Sequence, residues 1–344
     1  MTPERDEDRM RQAVAVAATA RRTVSPRPWV GAVLVSADGD VFTGATEGQA
    51  GPHAEVVAIT AADAAGTKSQ GATLYVTLEP CAHVGRTGPC ADAVIAAGIT
   101  RCVVGIVDPD PRVAGEGIDR LRRAGIDVTV GVARGEVNDQ LAPYLTHRRT
   151  GRPHVVLKLA ATLDGRTAAA DGTSQWITGA QARYDAHRLR ADSDAIVVGA
   201  GTVRVDDPSL TVRLDPDEVT GTPPLRVVLG HAPAAARVQP CLEYQGPIEA
   251  LLDDLGRRGV LQLMVEGGAS VAHAFHQGGL VDRYVLYLAP ALAGGDDARG
   301  LFAGAGAPSL DGLWRGEIVD VRRIGPDLRL DVVAPGRRTQ QEQG

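Results

Sequence analysis

The chain has 344 residues, enough for two domains, and its 44% hydrophobic and 23% charged content is that of a globular protein needing no disulfide staples. A net charge of −6 leaves no basic surplus for a phosphate polymer, and 3% aromatic residues offer few platforms for stacking single-stranded bases. Four cysteines, Cys81, Cys90, Cys102 and Cys241, are too few for a disulfide scaffold.

In chain order, the first element expected is an amphipathic helix containing the apolar stretch 13–18. That stretch is too short to span a bilayer, and the mixed charges at 4–9 do not make the positive start of a signal peptide. The expectation is a cytoplasmic protein with reduced thiols. Strand patterns follow at 30–35, 73–77, 102–107 and 127–131, alternating with helix patterns at 54–65, 90–97 and 117–124. Gly98 and Gly125 each follow a helix pattern, where a left-handed residue is wanted. Such alternation predicts a layered α/β domain. A connecting helix is expected at 136–149, ending before Thr150-Gly151-Arg152-Pro153. The domains are therefore placed at 1–148 and 153–334, with a frayed polar tail at 335–344.

The second half restarts the alternation. Strands are expected at 154–160, 195–199, 225–229, 262–265 and 283–288, with helices at 180–191, 247–258 and 271–277. The stretches 317–324 and 328–333 pair as a hairpin around Gly325-Pro326-Asp327.

The first chemical constellation is Pro52-His53-Ala54-Glu55 with Pro80-Cys81 and Pro89-Cys90. One imidazole and two thiolates, His53, Cys81 and Cys90, make a three-ligand zinc set with a fourth position open for water, whose pKa zinc lowers to about 7. Glu55 follows the histidine by two residues and can move protons beside the metal without ligating it. The pattern follows the H-x-E … P-C-x-x-C signature of zinc nucleobase deaminases, except that the second cysteine comes nine residues after the first. Two other readings use the same residues: a closed structural zinc site with His83 as fourth ligand, and two unrelated buried thiols. His83 is preferred as a substrate contact.

The segments 31–35, His53-Ala54-Glu55, 77–90 and 108–115 resemble the deaminase half of the RibD family of bifunctional riboflavin-biosynthesis enzymes, which uses this longer cysteine spacing. Three positions depart from that family's usual pattern: Arg27 within Pro26-Arg27-Pro28, Thr46, and Asp110 within Asp108-Pro109-Asp110-Pro111. By the resemblance these would face the pyrimidine or its phosphate arm. Arg27 and Arg86 are expected to help hold the ribosyl phosphate.

In the second half, Gly267-Gly268 follows a strand and opens a helix, an arrangement that lets backbone amides approach a pyrophosphate, with Ser270 as helix cap. Gly199-Ala200-Gly201 is a second such turn. Neither is a Rossmann fingerprint, since Arg204 stands where the third glycine belongs, and either pair also reads as an ordinary turn. Together with the blocks at 157–166, 174–178, 188–190, 198–208, 210–213 and 265–270, they resemble the reductase half of the RibD family.

The resemblance implies a cytidine-deaminase-like α/β/α domain followed by a dihydrofolate-reductase-like α/β domain that uses NADPH. It implies that Ala160, Trp176, Thr202, Asp206 and the run Gly268, Ala269, Ser270, Val271, Ala272, His273 and Ala274 line the cofactor. Ser174, Arg190, Leu210, Arg213 and Glu266 would hold the substrate. Arg190 and Arg213 suit a phosphate clamp. Lys158 reads equally as a site residue or as a lysine snorkelling at a strand edge. Relative to the family, 230–262 is short and rich in Pro and Ala at 231–240, predicting a trimmed loop where relatives carry a further strand.

The expected function is zinc-dependent hydrolytic deamination of a diaminopyrimidine ribosylamino phosphate, then NADPH-dependent reduction of its ribosyl chain. The expected partners are that small molecule and further copies of the chain (a dimer or tetramer), with neither nucleic acid nor membrane. A second reading keeps only reduction and makes the first domain a binding or assembly module. A third, a lone nucleoside or tRNA deaminase with an appendage, fits the charge and the second-half blocks poorly.

Overall fold

The computed structural model describes residues 3–83, 88–110, 113–216, 218 and 221–334; Arg86 and the 335–344 tail lie outside them. The chain separates into two compact units, one ending at Gly151 and the other beginning at Arg152.

The first unit contains α1 (Pro3–Ala18), β1 (Gly31–Val35), β2 (Val41–Ala45), α2 (Ala54–Ala64), β3 (Thr73–Leu78), α3 (Cys90–Ala96), β4 (Arg101–Ile106), α4 (Glu116–Arg123), β5 (Asp127–Val130) and α5 (Arg134–Thr150). Its sheet has the order β2-β1-β3-β4-β5. β1 runs antiparallel to β2 and β3, while β3, β4 and β5 are parallel. β3 is buried at every position, as a central strand covered on both faces must be. Two glycines show how the covering works. A Cβ on Gly31 would lie 2.0 Å from the Ala13 carbonyl of α1, and one on Gly44 would lie 2.3 Å from the Ala54 carbonyl of α2. Gly31 pairs with Ala45 and Gly44 with Ala32, so the two glycines face opposite sides of the sheet. Helices therefore pack on both faces, an α/β/α sandwich. Gly98 and Gly125 have φ of 69° and 84°, the left-handed conformation expected of them.

The second unit contains β6 (His154–Thr162), α6 (Ala180–Ala191), β7 (Ala195–Gly199), α7 (Ala200–Asp206), β8 (Leu225–Leu229), β9 (Leu242–Tyr244), α8 (Ile248–Arg257), β10 (Gln262–Val265), α9 (Ala269–Gln277), β11 (Arg283–Ala289), β12 (Glu317–Ile324) and β13 (Asp327–Val333). The sheet order is β12-β13-β11-β6-β10-β7-β8-β9. The six strands from β11 to β9 are parallel, and the β12–β13 hairpin adds antiparallel strands at one edge. One face buries Leu157, Leu263 and Val265 against Leu255 and Phe275. The other buries Ile196, Val198 and Met264 with Leu210, and Val156, Val285 and Tyr287 beside Ala186.

Two elements differ from the sequence expectation, β2 and β9. β2 lacks a clean alternation and is placed by its antiparallel pairing with β1 at the sheet edge. Gly199-Ala200-Gly201 follows a strand and opens a helix as expected, with Gly199 the N-cap of α7 at φ −83°. The 230–262 segment is not a bare loop, since Leu242–Tyr244 pairs with β8 as an edge strand. No helix among the described residues is long and apolar enough to cross a membrane.

Candidate functional site

In the first unit, three chain segments converge. His53 is the N-cap of α2, Cys81 lies in the loop after β3, and Cys90 is the first residue of α3. The His53 Nδ1 lies 3.6 Å from Cys81 Sγ and 3.1 Å from Cys90 Sγ, and the three donor atoms lie within 4.8 Å of one another. Donors around a tetrahedral zinc with bonds of about 2.0–2.3 Å sit about 3.5 Å apart, so the set fits this ion. The Cys90 amide donates to Cys81 Sγ at 3.3 Å, as a helix N-terminus does to an anion. The Cys90 thiol holds Cys81 as the thiolate of the pair, well below the usual thiol range against the opposing effect of burial. Cys81 in turn raises the pKa of the His53 imidazole.

Glu55 is only 3% exposed, and burial pushes its carboxyl up to about 7. It does not join the donor group, which among the described residues contains His53, Cys81 and Cys90 only. His83 is exposed and also stands outside it, so the closed site with a fourth histidine ligand does not form. Two of the departing positions point inward. Thr46 is buried, and its Oγ1 accepts from the Val30 amide at 3.2 Å. Asp110 is buried, with its amide on Asp108 Oδ1 and its carboxylate 4.0 Å from Arg148. Both side chains are thus engaged within the first unit. Arg27 donates to the carbonyls of Gly48 and Gly51 at 3.0 and 3.2 Å, bracing the loop that leads to His53.

In the second unit, a cleft of about 750 Å³ opens between the ends of β6, β7 and β10 and the 167–178 segment. This is the carboxyl end of parallel strands, where α/β folds place ligands. Of the expected cofactor residues, Ala160, Trp176, Thr202, Asp206, Gly268, Ala269, Ser270 and Val271 line it. Ala272 is fully buried, Ala274 is exposed, and His273 packs against Gly304. Ser270 is not the helix cap: Gly268 occupies that position, and α9 begins at Ala269.

Both helices opening on the cleft, α7 and α9, have glycine N-caps and no side-chain cap bond. Their first-turn amides are therefore available to an anion, which fits the pyrophosphate of a dinucleotide. The glycines supply room: a Cβ on Gly267 would lie 2.4 Å from Val271 Cβ, and one on Gly199 would lie 2.9 Å from Val271 Cγ2.

Lys158, Ser174 and Glu266 line the same cleft. Arg190 donates to Glu266 at 2.6–3.1 Å through two nitrogens. Burial pushes the Glu266 carboxyl up, but Arg190 and Lys158 outweigh it and hold the group below its usual range. Lys158 is half-buried, and desolvation lowers its pKa. The Arg213 amide donates to His187, whose imidazole is pushed down to about 4 by burial and by Arg190 and Arg213. Leu210 is buried at φ 50°, and neither it nor Arg213 lines the cleft. The sequence reading missed Thr167, Arg183, Arg299 and Leu301, which also line it. Arg183 stacks 4.6 Å over the Trp176 ring. Its place one helical turn before His187 and two before Arg190 on α6 was the available signal.

Comparison with known proteins agrees with both sites. Residues 3–106 match the cytidine and deoxycytidylate deaminase zinc-binding region, and residues 153–330 match the RibD C-terminal domain. The chain is 40% identical to the riboflavin biosynthesis protein RibD of Escherichia coli (strain K12), over 95% of this chain and 99% of that relative. Among solved structures, Acinetobacter baumannii RibD matches with TM-score 0.87 and 35% identity, over 96% of this chain and 99% of that one. A Thermotoga maritima structure, described as a diaminohydroxyphosphoribosylaminopyrimidine deaminase/5-amino-6-(5-phosphoribosylamino)uracil reductase, matches with TM-score 0.88 and 31% identity over the same shares. With a zinc-binding deaminase domain, a reductase domain and relatives matched nearly end to end, the chain belongs to the RibD family, the bifunctional deaminase/reductases of riboflavin biosynthesis.

Proposed function

We propose that the first unit deaminates 2,5-diamino-6-ribosylamino-4(3H)-pyrimidinone 5′-phosphate and that the second reduces the ribosyl chain of the product. The observation that carries this is the convergence of His53, Cys81 and Cys90 beside a buried Glu55 whose pKa is raised to about 7. Zinc held by those three residues would supply a nucleophilic oxygen at neutral pH, by lowering the pKa of water. Glu55 then carries the protons. It accepts one proton from water and delivers it to the ring nitrogen, then takes the second from the added hydroxyl and passes it to the departing amine, so that a C–O bond replaces the C–N bond and ammonia leaves. A carboxyl group with a pKa near 7 accepts and releases a proton with similar ease at that pH. His83, with Arg27 and Arg86, is assigned to the pyrimidine and its phosphate arm.

In the second unit the residues at Gly268–Val271, with Ala160, Trp176, Thr202 and Asp206, are assigned to the cofactor. NADPH, when bound there, supplies the hydride that reduces C1′ of the opened ribosylamine. Ser174, Arg190, Leu210 and Arg213 are assigned to the substrate, and Glu266 or Lys158 to the proton that accompanies the hydride. The boundaries 1–148 and 153–334 are proposed as the two functional domains. The net charge of −6 supports a small-molecule substrate over nucleic acid. A cytoplasmic homo-oligomer completes the reading, which light scattering of the purified chain checks. The deciding assay follows ammonia release and NADPH oxidation separately on the zinc-loaded chain. NADPH oxidation without ammonia release would leave the reductase-only reading.

A further inference from the structure

One buried carboxylate plays no part in the mechanism above. Glu79 stands at the end of β3, two residues before Cys81, and is 4% exposed. Its two oxygens accept four backbone N–H groups. Oε1 accepts from Gly117 at 2.9 Å and Ile118 at 3.2 Å, while Oε2 accepts from Gly115 at 3.0 Å and Asp108 at 3.2 Å. Gly117 and Ile118 belong to the first turn of α4, whose own N-cap, Gly115, has no side chain to offer. Glu79 thus caps α4 from the loop after β3, a task usually done by the residue preceding the helix.

The capped helix rests against both sulfur ligands' segments. A Cβ on Gly117 would lie 1.8 Å from the Pro80 carbonyl, so α4 meets the chain directly before Cys81. Arg120, one turn further on, donates to the Ala82 carbonyl at 3.1 Å, directly after Cys81. The same guanidinium pairs at 2.7 Å with Asp92, two residues after Cys90. Glu79 fixes the start of α4, and α4 then contacts Pro80, Ala82 and Asp92.

We propose that Glu79 is a positioning residue for the metal centre: through α4 it sets the separation and orientation of the Cys81 and Cys90 thiolates. An amide in place of the carboxylate offers one acceptor oxygen and turns an NH2 group towards backbone donors. Buried N–H groups then lose their partners, and the helix start loosens. Groups that orient metal ligands indirectly typically contribute 10–100-fold in metal affinity or activity.

The experiment is chelator competition for zinc on the full-length chain, with Co(II) absorption as a second readout. Glu79→Gln should weaken metal binding by about 10–100-fold and alter the thiolate–Co(II) bands, while the reductase activity of the same polypeptide stays normal. Glu79→Asp, which keeps the carboxylate on a shorter arm, should recover part of the affinity. Amide exchange at Gly115, Gly117 and Ile118 should quicken in Glu79→Gln. Should that variant fold poorly, Arg120→Ala, at a half-exposed side chain, must weaken the metal in the same direction and by less. Wild-type metal affinity and Co(II) spectra in Glu79→Gln, or in Arg120→Ala where the first is insoluble, overturn the proposal. So does a lowered melting temperature with unchanged affinity. The inference rests on the deaminase reading of this site, but it is read by metal binding alone. Ammonia release surviving in Glu55→Ala would sink that reading without touching this result.

Discussion

Arg190 and Glu266, 76 residues apart in sequence, are joined by three hydrogen bonds, the shortest 2.6 Å. Their side chains are 15% and 7% exposed, so the pair is desolvated. Removing one member leaves the other charge buried without its partner, which typically costs about 3–5 kcal/mol. Arg190→Ala should therefore lower the melting temperature of the second unit and abolish NADPH oxidation. Arg190→Lys keeps the charge but loses the fork, and should retain more stability than activity. Calorimetry with a reductase assay checks both.

Glu55→Ala removes the proton carrier and leaves the three donors in place. Ammonia release should fall by about 10²–10⁴-fold, the usual contribution of a positioned acid–base group. Zinc content and the reduction of pre-deaminated substrate should be unchanged. Simultaneous loss of both activities would contradict separate sites.

Removal of metal should act on one unit only. Dialysis against a strong chelator, or Cys81→Ser, should eliminate ammonia release, and added zinc should restore it in the dialysed wild type. NADPH oxidation on pre-deaminated substrate should continue at the original rate, because its cleft contains neither His53, Cys81 nor Cys90.

Gly267→Ala tests the glycine cradle. Its Cβ would meet Val271 at 2.4 Å, and an overpacked contact of this kind costs about 1–3 kcal/mol. NADPH binding, read as quenching of tryptophan fluorescence, should weaken severely. Adding Val271→Gly, which removes the Cβ that is met at 2.4 Å, should restore part of the binding, because the obstacle is space rather than backbone conformation.

Asp6 gives a pH-dependent contribution to stability. It accepts two hydrogen bonds from Arg101, at 2.9 and 2.7 Å, and one from Tyr75 at 2.8 Å. The Arg101 bonds hold its carboxyl below the ordinary range despite the opposing effect of burial. A lowered folded-state pKa stabilises the fold above the unfolded value of about 3.9 and loses that contribution as pH falls through the folded value. Asp6→Asn should therefore be less stable than wild type at neutral pH, and the gap should close below about pH 4. Denaturant titrations at several pH values measure it.

The alternation of strands and helices was legible because periodicity and glycine stops are local. Gly98 and Gly125 took the left-handed conformations that their positions after helices require. β9, three residues long, was not legible, because it gains its place only by pairing with β8. The glycines at 199 and 201 were legible as a strand-to-helix junction, and α7 starts there. Gly199 is there to admit Val271, which lies 72 residues further along the chain.

The sequence by itself determined the chemistry available: one imidazole and two thiols at metal spacing, a carboxylate two residues from the histidine, and a glycine pair ahead of a helix. Residue identity and close spacing are covalent facts, and they restrict the reactions a chain can run. Tertiary structure alone decided which of those groups meet. It brought His53 to Cys90 across 37 residues, buried Thr46 and Asp110, and paired Arg190 with Glu266. Such choices follow from burial and from satisfying buried polar groups across the whole fold, and no local pattern encodes them.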